Sequence, residues 1–202
     1  MRTPQPHDLL RIPPQAALCH DMPAWVTTAL HAAPWVVVRR APNEPQRVPV
    51  GIRGPDRNQR YATSVRLDAI IQTLSPDDLL DRIDTLPCLP VTRALCVAAQ
   101  ILDRTGLRWG PGGSVGFSLA TGVRVISSSS DLDLIVTAHH IPPRPLLAAL
   151  QAGLRTLAVR ADVQLALPAG GIALDELLSG ADRILIRTTD GPVLKDIAAL
   201  GA

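Results

Sequence analysis

The stretch Ser130-Asp131-Leu132-Asp133-Leu134-Ile135-Val136-Thr137 decides how the second half of this chain is read. It is apolar enough for a buried strand, yet it carries two acids two positions apart. Side chains alternate between the faces of a strand, so Asp131 and Asp133 share one face while Leu132 and Leu134 point into the packed one. A rise of about 3.3 Å per residue puts the two acids about 6 to 7 Å apart. At an effective dielectric near 20, carboxylates so spaced repel by roughly 2 to 3 kcal/mol. Arginine partners would offset that, and so would Mg²⁺, a hard cation that takes oxygen ligands. Asp-x-Asp alone is also compatible with a solvated strand end.

Upstream lies Gly110-Pro111-Gly112-Gly113-Ser114-Val115-Gly116. Glycines let backbone N–H groups approach phosphate oxygens, and the Ser114 hydroxyl adds a donor. No Gly-Lys-Ser/Thr follows, so this is not a P-loop. It is not a dinucleotide fingerprint either, because the strand–Gly-x-Gly-x-x-Gly–helix context is missing, and the segment reads as a flexible glycine-rich turn. Downstream, Arg160-Ala161-Asp162-Val163-Gln164-Leu165-Ala166-Leu167 holds an acid in an otherwise apolar strand. If that strand lies beside the first, Asp162 adds a third carboxylate. The alternative is an edge-strand aspartate paired with Arg160 or Arg155.

Working outward, helices and strands alternate through the second half. Helices are expected at 92–105, 145–159 and 174–178, and strands at 131–137, 161–167 and 183–188. The helix at 92–105 presents Ala94, Leu95, Ala98, Ile101 and Leu102 on one face. The first half differs: ten of the 19 prolines fall between Pro4 and Pro55, which favours short strands and rigid loops. A helix is expected at 24–33, strands at 35–40, 47–54 and 60–66, and a helix at 76–86 opened by Ser75-Pro76-Asp77-Asp78. The reading is an α+β or α/β protein of two small domains, 1–88 and 89–202.

Composition narrows the function. At 202 residues, with 47% hydrophobic and 19% charged, the chain buries a core without disulfides or structural metal. A net charge of +2 argues against broad coating of nucleic acid. No apolar run approaches the roughly 18 residues that span a membrane, and the proline-rich start is unlike a secretory signal. Cys19, Cys88 and Cys96 lack CxxC spacing and are read as reduced, partly buried thiols, which suggests a cytoplasmic protein. Only Lys195 among the 20 basic residues is a lysine. Base composition accounts for much of that bias, but arginine is also the residue that grips phosphate in a bidentate fork.

Gly113-Ser114, Asp131-x-Asp133 and a later Asp162 together resemble the nucleotidyltransferase superfamily of the DNA polymerase β type. The 16 residues between Ser114 and Asp131 exceed the generic spacing of that superfamily. A narrower resemblance accommodates them. Trp109 to Phe117, Leu119-Ala120-Thr121-Gly122 and Ser130 to Leu134 are similar to the malonate decarboxylase holo-acyl carrier protein synthases, or phosphoribosyl-dephospho-CoA transferases. So are Pro6-His7-Asp8-Leu9-Leu10, Trp35 to Arg40, Val48 to Gly54 with Arg57, Gln59 and Arg60, Asp162-Val163-Gln164 and Gly170-Gly171. The resemblance implies transfer of a phosphoribosyl-dephospho-CoA unit from 2′-(5″-triphosphoribosyl)-3′-dephospho-CoA to a serine of the acyl carrier subunit, with release of diphosphate. It implies a polymerase-β-type catalytic domain at 89–202. Asp131, Asp133 and Asp162 would hold Mg²⁺, as two ions, and Gly113 and Ser114 the diphosphate end. The partners are the donor and the carrier subunit, without nucleic acid or membrane.

Arg53, Arg57 and Arg60 surround a turn in the first half and suit the donor's phosphates, an acidic carrier or surface salt bridges equally well. Trp109 is expected in the core beside the glycines more than on adenine. His7, Arg39 and Arg40 are expected in structural roles more than functional ones, and adjacent His139 and His140 point opposite ways on an extended chain. Ser127 to Ser130 reads as a polar loop. Two other functions stay open: a different nucleotidyltransferase (the citrate lyase counterpart or a small adenylyltransferase), and a non-catalytic carrier-protein-binding module.

Overall fold

The structure, a computed structural model, describes residues 2–197 apart from 20, 43 and 57. It is a mixed α/β arrangement of two sheets. The first contains β1 (Leu9–Arg11), β2 (Trp35–Val38), β3 (Arg47–Arg53), β4 (Arg60–Arg66) and β5 (Gln72–Leu74), with helix α1 (Ala24–Ala32) against it. Its strand order is β4-β3-β2-β1-β5, and every pairing is antiparallel.

Alternation along these strands gives the sheet two apolar faces. Leu10, Val36, Val38, Val50 and Ile52 pack with Val26 and Leu30 of α1 in a core of their own. Leu9, Trp35 and Leu74, on the opposite face, join the larger core of the second half. Val37 is the register partner of Leu9, as is Leu74 on the other side, so one row of side chains crosses the sheet toward its neighbour. A sheet apolar on both faces must be covered twice, and here the second half supplies the second cover.

The second sheet is built from β6 (Arg108–Pro111), β7 (Leu132–Thr137), β8 (Ala161–Leu167), β9 (Gly170–Ala173), β10 (Arg183–Thr188) and β11 (Gly191–Asp196), in the order β11-β10-β9-β8-β7-β6. Among its pairings only β7 with β8 is parallel. A parallel neighbour needs a crossover, supplied by α4 (Arg144–Leu154). Helix α2 (Pro90–Asp103) buries Val91, Ala94, Leu95, Ala98 and Leu102 along one stripe. Ile101, expected on that stripe, is half-buried beside α4, where Gly153 leaves it room. The remaining helices are α3 (Gly113–Thr121) and the short α5 (Leu174–Leu177).

Several expectations change. The segment at 76–86 is a 3₁₀ helix, Asp77–Thr85, not an α-helix. The Ser75 hydroxyl does not cap it; the Asp78 carboxylate instead accepts from the Ser75 backbone N–H at 2.7 Å. Short strands β1, β5, β6, β9 and β11 escaped the reading because three- to six-residue stretches carry too little alternation. The glycine-rich stretch is no flexible turn: β6 runs directly into α3. All three cysteines are exposed rather than partly buried. Trp109 is core, 4% exposed, its indole N–H donating to Asp103 at 2.8 Å. No helix among the described residues is long and apolar enough to cross a membrane.

Candidate active site

The parallel register of β7 and β8 makes Asp133 the direct partner of Asp162. Neighbouring strands lie about 4.8 Å apart, so these acids are closer to each other than to anything two positions along their own strands. Asp131 immediately precedes β7. Leu132 and Leu134, between and beyond the acids, are fully buried, which pins the strand and turns its acidic face outward. A cavity of about 490 Å³ collects Asp131, Asp133 and Asp162 together with Gly113, Ser114, Arg53 and Arg60. Of the residues proposed for the site, Arg57 lies outside the described residues.

The β6–α3 junction decides why glycine stands at 113. Its φ is +53°, a left-handed conformation that side chains resist, and a Cβ there would lie 1.8 Å from the Asp133 carboxylate. Gly112 N–H also donates to the Asp133 backbone carbonyl at 2.9 Å. The start of α3 is therefore pressed against β7 at the acid itself. Gly116 is set by packing too, since a Cβ would meet the Pro111 carbonyl oxygen at 2.5 Å. The first N–H groups of a helix lack intrahelical partners and carry partial positive charge, and Ser114 adds its hydroxyl within this first turn. The junction thus offers donors beside a cluster of acids.

Arg160 answers part of the charge problem. Its Nε donates to Asp162 Oδ1 at 2.9 Å, and the negative charges of Asp162 and Asp131 hold its guanidinium above its usual range. The pairing anticipated for an ordinary aspartate is thus present. The strand, however, is not an edge: β8 lies between β7 and β9. Among the described residues, no group of three or more His, Cys, Asp or Glu side chains is gathered as a ready-made metal cage. The acids share a cavity rather than a point.

The opposing wall comes from the first sheet. Arg53 and Arg60 are register partners where β3 and β4 approach their turn. That turn is closed by Gly54 N–H to the Gln59 carbonyl at 3.0 Å and Gln59 N–H to the Asp56 carbonyl at 3.0 Å. The serine tract at 127–130 belongs to this cavity as well: Ser127, Ser129 and Ser130 line it, with Ser127 N–H donating to Ser130 Oγ at 2.9 Å. What reads as a polar connection in sequence is a hydroxyl-lined wall. A second cavity of about 580 Å³ continues from the first, sharing Arg53, Arg60, Gly113 and Asp133 with it. His7, weighed in sequence as a structural residue more than a functional one, lines this second space together with Gln164, which does not stand out in sequence as a site residue.

Two family descriptions cover almost the whole chain. Residues 5–76 match the phosphoribosyl-dephospho-CoA transferase MdcG N-terminal domain, and residues 78–198 match its C-terminal domain. The chain belongs to the phosphoribosyl-dephospho-CoA transferase family. It is 43% identical over 192 residues to a phosphoribosyl-dephospho-CoA transferase of Pseudomonas aeruginosa, covering 95% of this chain and 91% of that one. A Pseudomonas putida protein of the same name is 45% identical over 195 residues, covering 95% and 93%. One from Azotobacter vinelandii is 38% identical over 196 residues, covering 93% and 91%. No solved structure matches. The boundary between the two family domains falls at the start of the 3₁₀ helix, whose residues pack against β6 and α3.

Proposed function

We propose that this member of the family moves the phosphoribosyl-dephospho-CoA unit of 2′-(5″-triphosphoribosyl)-3′-dephospho-CoA onto a serine of the malonate decarboxylase acyl carrier subunit. Diphosphate is the leaving group. The observation that carries the reading is the single cavity in which two arginines from one sheet face three carboxylates from the other, with a helix start between them. A polyphosphate ester and a metal-assisted displacement require that combination of charges.

The catalytic half is read as a polymerase-β-type nucleotidyltransferase domain. The donor set fits Mg²⁺ by its chemistry, since every candidate ligand is a carboxylate oxygen. Asp131 and Asp133 would hold the metal, with Asp162 beside Asp133 completing the set. The metal, as two ions, would supply charge neutralisation on the transferred phosphoryl group. This chain's residues do the rest. The α3 start and the Ser114 hydroxyl orient the diphosphate end. Arg53 and Arg60 grip phosphate oxygens from the other wall. The carrier serine Oγ attacks the α-phosphorus, an O–P bond forms, and the bond to diphosphate breaks. The serine proton passes to the Asp162 carboxylate and on to water.

The test is intact-protein mass spectrometry of the apo carrier subunit after incubation with the protein, donor and Mg²⁺. The expected result is a mass gain equal to the phosphoribosyl-dephospho-CoA unit, abolished by EDTA and by Asp131→Ala. No gain with the wild-type protein overturns the proposed reaction.

A further inference from the structure

The cleft does not end at the second cavity. Side chains alternate along β7, so Asp133, Ile135 and Thr137 share the face opposite Leu132, Leu134 and Val136. Their register partners on β8 are Asp162, Gln164 and Ala166. The cavity of the acids touches Asp133 and Asp162, and the second touches Asp133, Ile135 and Gln164. A third, of about 330 Å³, touches Ile135, Thr137 and Ala166. The three cavities thus follow one another along a single strip of sheet. Asp133 and Thr137 are four positions apart, which is about 13 Å at a rise of about 3.3 Å per residue.

The first half of the chain walls the third cavity with Arg2, Asp8 and Arg40, and the second half adds Asp77, Arg108 and His139. Each of the two acids has an arginine of its own. Arg2 Nη1 lies 2.9 Å from Asp8 Oδ2, and Arg108 Nη2 lies 2.7 Å from Asp77 Oδ2. Arg40 is the remaining cation, half-buried, with no hydrogen bond or ion pair among the described residues. Its Nε is buried and out of a ligand's reach, held against β9 where a Cβ on Gly171 would lie 3.4 Å away. Its Nη atoms are not sealed in this way and stay open to solvent. Burial pulls the guanidinium below its usual range, the mark of a charge stripped of part of its water. A partly desolvated cation without a partner is costly, and an anion in the cavity relieves that cost.

We propose that the third cavity holds the diphosphate that joins adenosine to pantetheine in the donor, with the Arg40 Nη atoms donating to its oxygens. This rests on the transferase reading for the identity of the ligand. The adenosine sugar of the donor carries the triphosphorylated ribose on its 2′ oxygen and this second diphosphate on its 5′ oxygen. About a dozen bonds separate the reacting α-phosphorus from the nearer phosphorus of the second diphosphate, a reach of at most about 14 Å at about 1.2 Å per bond. That reach matches the strip of sheet between Asp133 and Thr137. With the reacting phosphorus at the acids and the triphosphate toward Arg53 and Arg60, the second diphosphate falls at Arg40. Arg40 is a binding residue, remote from the reacting atoms.

The experiment titrates the full chain calorimetrically with 3′-dephospho-CoA, which has the second diphosphate but no triphosphate, and with adenosine, which has neither. Wild type is expected to bind dephospho-CoA about tenfold or more tightly than adenosine. Arg40→Ala is expected to weaken dephospho-CoA about ten- to a hundredfold, the worth of hydrogen bonds to a charged group, and to leave adenosine unchanged. Arg40→Lys, which keeps the charge but not the fork, is expected to recover part of that loss. Arg53→Ala, at the other end of the cleft, is expected to leave dephospho-CoA within about twofold of wild type. Equal binding of adenosine and dephospho-CoA by wild type overturns the proposal, whether or not a variant folds. So does equal affinity of wild type and Arg40→Ala for dephospho-CoA. An equal loss for both ligands makes Arg40 a strut between the halves, and a loss in Arg53→Ala as large as in Arg40→Ala puts the diphosphate at the hairpin; either also overturns it. Arg40-dependent binding of dephospho-CoA without any mass gain on the carrier would leave the subsite and remove the transferase reading. Carrier modification without Arg40-dependent binding would do the reverse.

Discussion

The two walls of the cleft are built on opposite principles. The acidic wall is local: Asp133 sits on β7 with Asp131 immediately before it, and Asp162 is brought to Asp133 by a single crossover through α4. Its geometry is fixed by buried leucines directly behind it. The basic wall is remote: Arg53 and Arg60 ride near the end of a hairpin in another sheet, and reach the acids only because Leu9, Trp35 and Leu74 join the two halves in one core. One wall therefore depends on strand register and the other on how the halves pack. On the proposed reading, the difference separates chemistry, assigned to an interior strand, from substrate grip, assigned to a peripheral hairpin.

Substitution on the acidic wall has the largest expected effect. Asp131→Ala and Asp133→Ala should each lower transfer by about 10³-fold or more, a loss of several kcal/mol of transition-state stabilisation. Neither should change the melting temperature much, because both side chains face the cavity. Leu132→Ala, between them but pointing the other way, inverts the pattern: it should cost about 2 to 5 kcal/mol in urea unfolding. Its transfer rate per folded molecule should stay within a few-fold of wild type. A Leu132→Ala protein that is stable but inactive would break the division between the two faces.

Gly113→Ala comes next. The new methyl group must displace the Asp133 carboxylate and adopt a left-handed φ, so kcat should fall about 10²-fold with a stability loss of about 1 to 2 kcal/mol. Single-turnover kinetics with unchanged donor affinity would locate the loss in chemistry. Arg53→Ala and Arg60→Ala should be milder, about tenfold each and expressed in donor KM rather than kcat. If they lower kcat with KM unchanged, the hairpin arginines act in the transition state and the contrast between the walls fails.

A separate effect, on stability and not on transfer, is its dependence on pH. His7 is held at about 4 in the fold against 6.5 ordinarily. The unfolded chain thus binds the extra proton first as pH falls. The stability tied to a neutral His7 is complete above pH 6.5 and drains away as pH drops toward 4, by roughly 2 to 3 kcal/mol. Urea unfolding of wild type and His7→Asn at pH 7 and pH 4.5 should show the wild type losing more. Parallel losses would mean that His7 is solvated rather than buried.

Much of the acidic wall is legible in the amino-acid order. Period-two alternation around Asp131 and Asp133 needs only residue types, and β8 and β10 have the boundaries that their apolar runs suggest. The glycine-rich stretch is instructive in the other direction. As sequence it reads as a flexible phosphate-binding turn, whereas Gly113 and Gly116 are there because neighbouring atoms leave no room for a Cβ. Glycine's meaning depends on what approaches it, and no local pattern encodes that. Strands β1, β5 and β6 were hidden for a related reason: their hydrogen bonds come from partners distant in the chain.

By itself, then, the sequence determined that acids, a Gly-Ser pair and hairpin arginines exist in an order matching the phosphoribosyl-dephospho-CoA transferase family. Alternation also sets which side of β7 carries carboxylates. Only the tertiary structure decided that Asp162 pairs with Asp133, that α3 begins against that same acid, and that His7 lies some 120 positions away in sequence yet beside the same cleft. Side-chain periodicity is a property of neighbours along the chain, and can be read there. Burial, unsatisfied nitrogens and the space left by a glycine are properties of neighbours across it.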